Sequence, residues 1–517
     1  MRRKAYAIQR LEATPLSGSS SLGAHPGAAP KRCDFLPDLP GTEPASTPNL
    51  RTSPLCGNEL TFSPFRHYLV SMNACSSSNT VATTHPATRS AAFTQQSAPD
   101  SSNSAAPTRL PLAGGSPDVT RRKFLASAGA AAVGLTILKP GLVAGAEANS
   151  KIDIGVIGCG GRGAWIAELL AKNGHYNVVG LADYFQDRVD EAGKKLNVPA
   201  SKRFTGLSGY KRLLEEKVDA VAIESPPYFH PEQAAAAVEA GKHVYLAKPI
   251  AVDVPGCQSV GESGRKATEK RLAFQVDFQT RAMPSYQQVV SRIHNGGIGK
   301  LVTVYAEYQT SLMFEGRDAE LRKNPSDPEV RLRSWGIDRT LSGDVITEQN
   351  IHALDVATWI VNANPIKAYG RGGRARPFLG DCWDHYSVLF FFPNDLMVTF
   401  TAKQVGFGFD DIMVRAHGET GSAETNYGGT CWLHSRDDAF TGKTDDIYLV
   451  GVQRNMVSFY ENITKGDCSN PTVKPSVRSN LTTILGRTAA YTGTEVTWDQ
   501  MLQAGEKWHF DPAGLKS

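Results

Sequence analysis

A chain of 517 residues is longer than one domain, so two folded domains with a tail are expected. A hydrophobic content of 41% and a charged content of 21% are ordinary for a globular protein, and a net charge of only +4 argues against a nucleic-acid or membrane-surface partner. Eight cysteines without a single Cys-x-x-Cys pair exclude a disulfide scaffold and a zinc ribbon, so no metal site is expected from them.

Residues 1–117 are rich in Ser, Thr, Ala and Pro and lack hydrophobic periodicity, which predicts a disordered leader. Residues 118–150 read differently. Thr120-Arg121-Arg122-Lys123-Phe124-Leu125 is a twin-arginine signature, followed by an uncharged stretch from Phe124 to Leu138. That stretch is too short to cross a bilayer, which takes about 20 residues, so no stable membrane anchor is expected. Ala144-Gly145-Ala146 and Ala146-Glu147-Ala148 both fit an A-x-A cleavage site. The order predicts export in the folded state to the periplasm. Because such signals stand at an N-terminus, translation is expected to start downstream of Met1.

From Lys151 strands alternate with helices, which predicts a parallel sheet over residues 151–276. Ile152, Ile154, Val156 and Ile157 form a short apolar strand, and Gly158-Cys159-Gly160-Gly161-Arg162-Gly163 then fits G-x-G-x-x-G before a helix-compatible run. In a dinucleotide fold Gly158 makes the tight turn, Gly160 lets the backbone approach a pyrophosphate, and Gly163 lets helix pack on strand. Arg162 in the same turn joins the cofactor-binding residues. A second strand, Asn177 to Ala182, ends in Asp183, where a carboxylate would meet the adenosine ribose. Tyr184, not Arg, follows it, which favours NAD over NADP. Strands at Ala220 to Ile223, His243 to Leu246 and Leu272 to Val276 complete the half. Loops at Ser225 to His230 and at Lys248 leave their carboxyl ends, where ligands of such sheets bind.

Residues 277–517 change character. Leu301 to Thr310 alternates as a strand does. His385 to Phe392 and Leu396 to Lys403 flank Pro393-Asn394-Asp395, and Ile412 to His417 and Ser422 to Asn426 flank Gly418-Glu419-Thr420-Gly421. Both read as hairpins, so this half is α+β with an antiparallel sheet. A single helical segment is expected between Thr340 and Asn362.

With Gly155 to Gly163, the segments ESPPYFH (224–230), GKHVYLAKP (241–249) and GDVITEQNIHALD (343–355) resemble the Gfo/Idh/MocA family of NAD(P)-dependent, mostly sugar-acting oxidoreductases. The resemblance runs over about residues 151–510 and implies a Rossmann domain followed by a domain with a large open antiparallel sheet. It implies that Gly158, Gly160 and Gly163 form the pyrophosphate turn and that Asp183 contacts the ribose. Ser225, Pro226 and His230 would line the nicotinamide side. Lys248 matches the lysine of the family's E-K-P motif and His352 the histidine of its D-x-x-x-H motif. Two departures stand out: Ala247 replaces the glutamate of the first motif and Glu348 the aspartate of the second.

Hydride transfer from a carbinol carbon leaves a hydroxyl proton that a base must take, a role suited to His352. Lys248 would supply charge or a proton relay, and Glu348 would orient. On one helix Glu348, His352 and Asp355 would share a stripe facing a cleft. A metal site built from Glu348 and His352 with His385 or Asp384 is the lesser alternative. The expected function is a periplasmic oxidoreductase moving a hydride between a carbohydrate carbinol and tightly held NAD, as a homo-oligomer joined through the C-terminal sheet. Rival readings are a glycosidase or lyase working by oxidation, elimination and reduction, or a non-catalytic sugar-binding protein, to which Ala247 points.

Overall fold

The central strand, β1 (Ile152–Ile157), is apolar on both faces and its side chains at Ile152, Ile154, Val156 and Ile157 are all buried. Such strands need neighbours on both edges and helices above and below. β1 pairs in parallel with β2 (Tyr176–Asp183) on one edge and with β4 (Ala220–Ile223) on the other. With β3 (Arg203–Thr205), β5 (His243–Ala247) and β6 (Phe274–Asp277), a six-stranded parallel sheet forms in the order 3-2-1-4-5-6. The order reverses between β1 and β4, which opens the crevice where doubly wound sheets take ligands. The computed structural model describes residues 151–311, 313–376 and 380–517; the leader at 1–117 and the twin-arginine segment at 118–150 lie outside the described residues.

The second sheet has nine strands: β7 (Leu301–Thr310), β8 (Lys367–Gly373), β9 (His385–Phe391), β10 (Met397–Gln404), β11 (Asp411–Gly418), β12 (Gly421–Asn426), β13 (Thr430–Ser435), β14 (Ala439–Lys443) and β15 (Val496–Thr497), ordered 14-13-12-11-7-10-9-8-15. The two expected hairpins are present as β9–β10 and β11–β12. β7 and β10 nevertheless run parallel, because a long crossover through helices and β8–β9 separates them in sequence. Helices Pro284–His294 and Ile351–Val361 cover one face of this sheet. On the other face Tyr305, Tyr369 and Met397 are exposed.

The helix Val473–Thr492 lies between the sheets, touching β6 and the helix Val254–Glu269 on one side and β8 and β9 on the other. Close approach needs glycine: a Cβ on Gly486 would stand 2.6 Å from the Phe390 ring.

The single helix expected over 340–362 is instead three pieces, Arg339–Ser342, Val345–Glu348 and Ile351–Val361. Gly343 (φ 82°) and Asp344 (φ 70°, ψ 164°) break the first from the second. The Asp344 carboxylate accepts the N–H groups of Val345 (2.6 Å) and Trp383 (3.1 Å), a local alternative to helix bonding.

Candidate active site

Five carboxyl ends of the parallel sheet converge on one place, bringing together Gly158 after β1, Asp183 ending β2, Glu224 after β4, Lys248 after β5 and Asp277 ending β6. The glycine turn is sterically obligatory. Gly158 has φ 94°, and a Cβ there would stand 2.5 Å from the Ser225 nitrogen; one on Gly163 would stand 1.8 Å from the Gly158 carbonyl oxygen. The helix Gly161–Asn173 starts with neither a side-chain cap nor an acidic residue in its first turn. Its first N–H groups are thus left for an anion, and the turn fits a dinucleotide pyrophosphate.

Asp183 accepts the N–H groups of Cys159 (2.7 Å) and Phe185 (2.9 Å), and the Arg188 guanidinium lies 3.9 Å away. Burial still pushes its carboxyl above the ordinary range. Arg188 also stands beside Gly160, about where a Cβ there would meet it at 3.4 Å. This cation escaped the sequence reading because it follows Asp183 by more than one position. The signal was available: a helix starting at Gln186 turns Arg188 back toward the strand end.

Arg162 differs from expectation. Its guanidinium turns inward, 2.5 Å from Asp277 and 3.2 Å from Glu224, and lies over the rings of Trp165 and Tyr448. The buried Glu224 and Asp277 side chains engage it on the inner side of the turn. Glu224 was also missed; burial pushes its carboxyl up to about 8. Ser225 bonds through Oγ to Gln233 Oε1 (2.6 Å), and the Pro226 carbonyl accepts the Phe229 N–H (3.0 Å) in the turn that follows.

His230 is likewise corrected. Its ring is fully enclosed, with Nδ1 2.8 Å from the Pro249 carbonyl and Nε2 2.7 Å from the Ser225 carbonyl. Burial lowers it to about 4, so the neutral ring donates to one of the two. It ties the β4 loop to the β5 loop, with both ring nitrogens engaged by backbone carbonyls.

Lys248 Nζ donates to the Glu348 carbonyl oxygen at 2.6 Å and stands 3.4 Å from its Oε1. Burial depresses the lysine, with Arg162 adding to this and Glu348 opposing it. His352 is 8% exposed, its Nδ1 has no protein partner, and its ring lies parallel to Tyr308 and edge-on to Tyr427. Burial, then the charges of Lys248 and Arg162, hold this imidazole well below its ordinary range, hence neutral. Glu348, His352 and Asp355 do not share one helix, because the helix is interrupted at Gln349 and Asn350, which parts Glu348 from His352 and Asp355. Asp355 pairs with Arg281 (2.8 Å) in the interior. The metal alternative does not assemble: Asp384 accepts the N–H groups of Ala375 and Arg376 and contacts His385, and no metal-holding cluster exists among the described residues.

Residues 152–278 match the family model described as an oxidoreductase family, NAD-binding Rossmann fold, of GFO/IDH/MocA, and residues 286–424 match the GFO/IDH/MocA C-terminal domain. The chain belongs to the GFO/IDH/MocA family. It is therefore an NAD(P)-binding oxidoreductase by family. Relatives include inositol 2-dehydrogenase 2 of Saccharopolyspora erythraea, 27% identical over 277 residues, 52% of this chain and 72% of the relative. Levoglucosan dehydrogenase of Pseudarthrobacter phenanthrenivorans is 24% identical over 266 residues, 46% of this chain and 64% of the relative. Among solved structures, the aldose-aldose oxidoreductase of Caulobacter crescentus superposes with a TM-score of 0.54 at 17% identity, covering 67% of this chain and 99% of the other. An oxidoreductase domain protein of Kribbella flavida does so with a TM-score of 0.58 at 19% identity, covering 67% and 99%. At these identities the structures share the GFO/IDH/MocA fold.

Proposed function

We propose that this GFO/IDH/MocA protein oxidises or reduces a carbinol carbon of a sugar or sugar-derived polyol, with Lys248, His352 and Glu348 as its working groups. The observation that carries the reading is the Lys248–Glu348 contact, which joins the carboxyl edge of the parallel sheet to the segment bearing His352. Bound nicotinamide supplies the hydride acceptor or donor. His352, held neutral, takes the hydroxyl proton on its imidazole ring. Lys248 holds positive charge beside the oxygen as it loses its proton. No carboxylate precedes this lysine, since Ala247 stands there, and Glu348 supplies both acceptors to it. The inositol and levoglucosan dehydrogenases among the relatives support a carbohydrate-like substrate. The test is turnover across a panel of inositols, aldoses and 3-keto-glycosides, read from the sugar products as well as from nucleotide absorbance, with Lys248→Ala alongside. A protein that binds these sugars and turns over none would sink the proposal.

NAD is the proposed nucleotide, because the Asp183 carboxylate both accepts from a ribose 2′-hydroxyl and repels a 2′-phosphate. Asp183→Ala should weaken NAD binding and relax discrimination against NADP. Arg188→Ala should cost NADP more than NAD, since the arginine beside Asp183 offers that phosphate a counter-charge. Titration of both nucleotides against the three proteins checks this, and tighter NADP than NAD in the unaltered protein would refute it.

Export by the twin-arginine route remains part of the proposal, with the nucleotide loaded before export and its redox state restored within the cycle. What supports retention is the packing around Asp183. Phe185 is buried against Leu332, Leu341 and Phe510, Arg333 stacks on its ring at 3.9 Å, and the Lys516 N–H donates to the Tyr184 hydroxyl. Protein starting at Ala148 and dialysed without cofactor should keep full activity and release nucleotide only on denaturation. Protein that arrives empty and needs soluble NAD would contradict this. The uncovered face bearing Tyr305, Tyr369 and Met397 is proposed to join a second copy, which sedimentation would detect.

A further inference from the structure

The helix Val473–Thr492 carries a polar stripe on a buried face. Asn480, Thr483, Arg487 and Tyr491 recur at three- and four-residue steps, so they share one side of the helix. Each reaches a segment of the candidate site. The Asn480 side chain accepts the Ile250 N–H (3.0 Å) and donates to the Ala251 carbonyl (3.1 Å), just after Lys248. Thr483 donates to the Thr347 hydroxyl (3.1 Å), just before Glu348, and the Tyr491 hydroxyl donates to the Asp344 carboxylate. Arg487 spans both segments. Its Nη1 donates to the Val252 carbonyl at 2.9 Å and to the Gly343 carbonyl at 2.7 Å, and the guanidinium lies 3.7 Å from the centre of the Trp508 ring.

Arg487 is 3% exposed, and among the described residues no carboxylate oxygen lies within ion-pair distance of it. A buried guanidinium that meets carbonyls and an aromatic face is a costly way to fill space. What it achieves is geometric. The chain from Lys248 to Val252, the arginine, and the chain from Gly343 to Glu348 form a ring that the Lys248–Glu348 contact closes. Gly343 and Asp344 both have positive φ within it, a conformation that persists only where its surroundings impose it.

We propose that Arg487, with Asn480 beside it, is a positioning residue for the reaction, fixing the distance between Lys248 and Glu348 through the backbone of both segments. This rests on the reading of Lys248 as a working group. The charged and titratable groups facing Lys248 are Glu348, Arg162, Asp277 and Glu224, with the imidazoles of His352 and His230 nearby. Of these, Glu348 makes the close contact. Loosening it removes the carboxylate that favours the lysine cation, so the alkaline limb of the kcat profile should move to lower pH.

The experiment compares Arg487→Met, which keeps the stem without donors, with Arg487→Lys, which restores one. Arg487→Met should lower kcat by about 10- to 100-fold, the scale of a small misplacement of catalytic groups. Nucleotide Kd should stay within about twofold, since Gly158 to Asp183 are untouched, with the alkaline limb shifted down. Arg487→Lys should recover part of both changes. A folded Arg487→Met protein whose alkaline limb has not moved would overturn the proposal and leave Arg487 a structural residue. If Arg487→Met yields no folded protein, Trp508→Leu, which removes the ring on which Arg487 and Arg339 lie and leaves the Arg487 donors in place, is read by the same criterion. If instead Lys248→Ala keeps full turnover, the reading of the site fails first.

Discussion

Replacing His352 or Lys248 by alanine is expected to lower turnover by roughly two to four orders of magnitude. His352→Ala removes the neutral imidazole of the site. Nucleotide should still copurify with this variant, because His352 lies on the second-domain segment and the glycine turn is untouched. Lys248→Ala leaves the Glu348 carbonyl without this donor and its carboxylate with the Gln349 side-chain amide, so part of its effect is structural. Glu348→Gln keeps the carbonyl acceptor and should cost less. The pH dependence follows from the directions of the two shifts. A histidine held below its ordinary range stays competent as a base to lower pH than a free imidazole. A lysine held below its ordinary range loses its charge at lower pH than a free amine. The kcat profile should therefore be displaced toward acid on both limbs. Steady-state turnover with nucleotide content measured on the same samples checks the assignment, and near-unaltered turnover in either alanine variant removes that residue from it.

Gly163→Ala is expected to abolish nucleotide binding, while Gly161→Ala two residues earlier is expected to be nearly neutral. The added Cβ at 163 would lie 1.8 Å from the Gly158 carbonyl oxygen, a backbone atom that cannot swing away as a side chain would. Relief requires the helix Gly161–Asn173 to move off β1, which pulls its N-terminal N–H groups from the pyrophosphate position. Overpacking of this kind costs about 1–3 kcal/mol in stability, so a lowered Tm should accompany the loss of nucleotide. At Gly161 a Cβ would have no atom within 4 Å, and alanine is the better helix former. Isothermal titration of both variants with NAD separates the outcomes. Equal binding by both would show that close packing at Gly163 is not what holds the turn.

The parts legible in the sequence are those made by neighbours along the chain. The strand, glycine turn and helix from Ile152 to Asn173 are contiguous, as are the hairpins around Pro393 to Asp395 and Gly418 to Gly421. Period, spacing and turn chemistry report such elements directly, because the forces that form them act within a few residues. Asp183 belongs with them, since one helix and one strand bring it back to the turn.

Where side chains point was decided by tertiary structure. Arg162 sits in the expected turn yet faces Glu224 and Asp277, and His230 sits in the expected loop yet bonds two carbonyls in the interior. The helical period over Thr340 to Asn362 was broken at Gly343 and Asp344 by partners far along the chain, Trp383 and Tyr491. The same holds for the contact on which the functional reading rests. By itself the sequence determined that Lys248 and His352 exist on suitable segments and that a dinucleotide turn precedes them. That Glu348 meets Lys248, that β7 and β10 run parallel, and that Arg487 spans both site segments followed only from packing two sheets around one helix. Burial then sets which ionic and hydrogen-bonding partners each polar group must find, and Glu348 for Lys248 and Asp277 for Arg162 lie a hundred residues or more away.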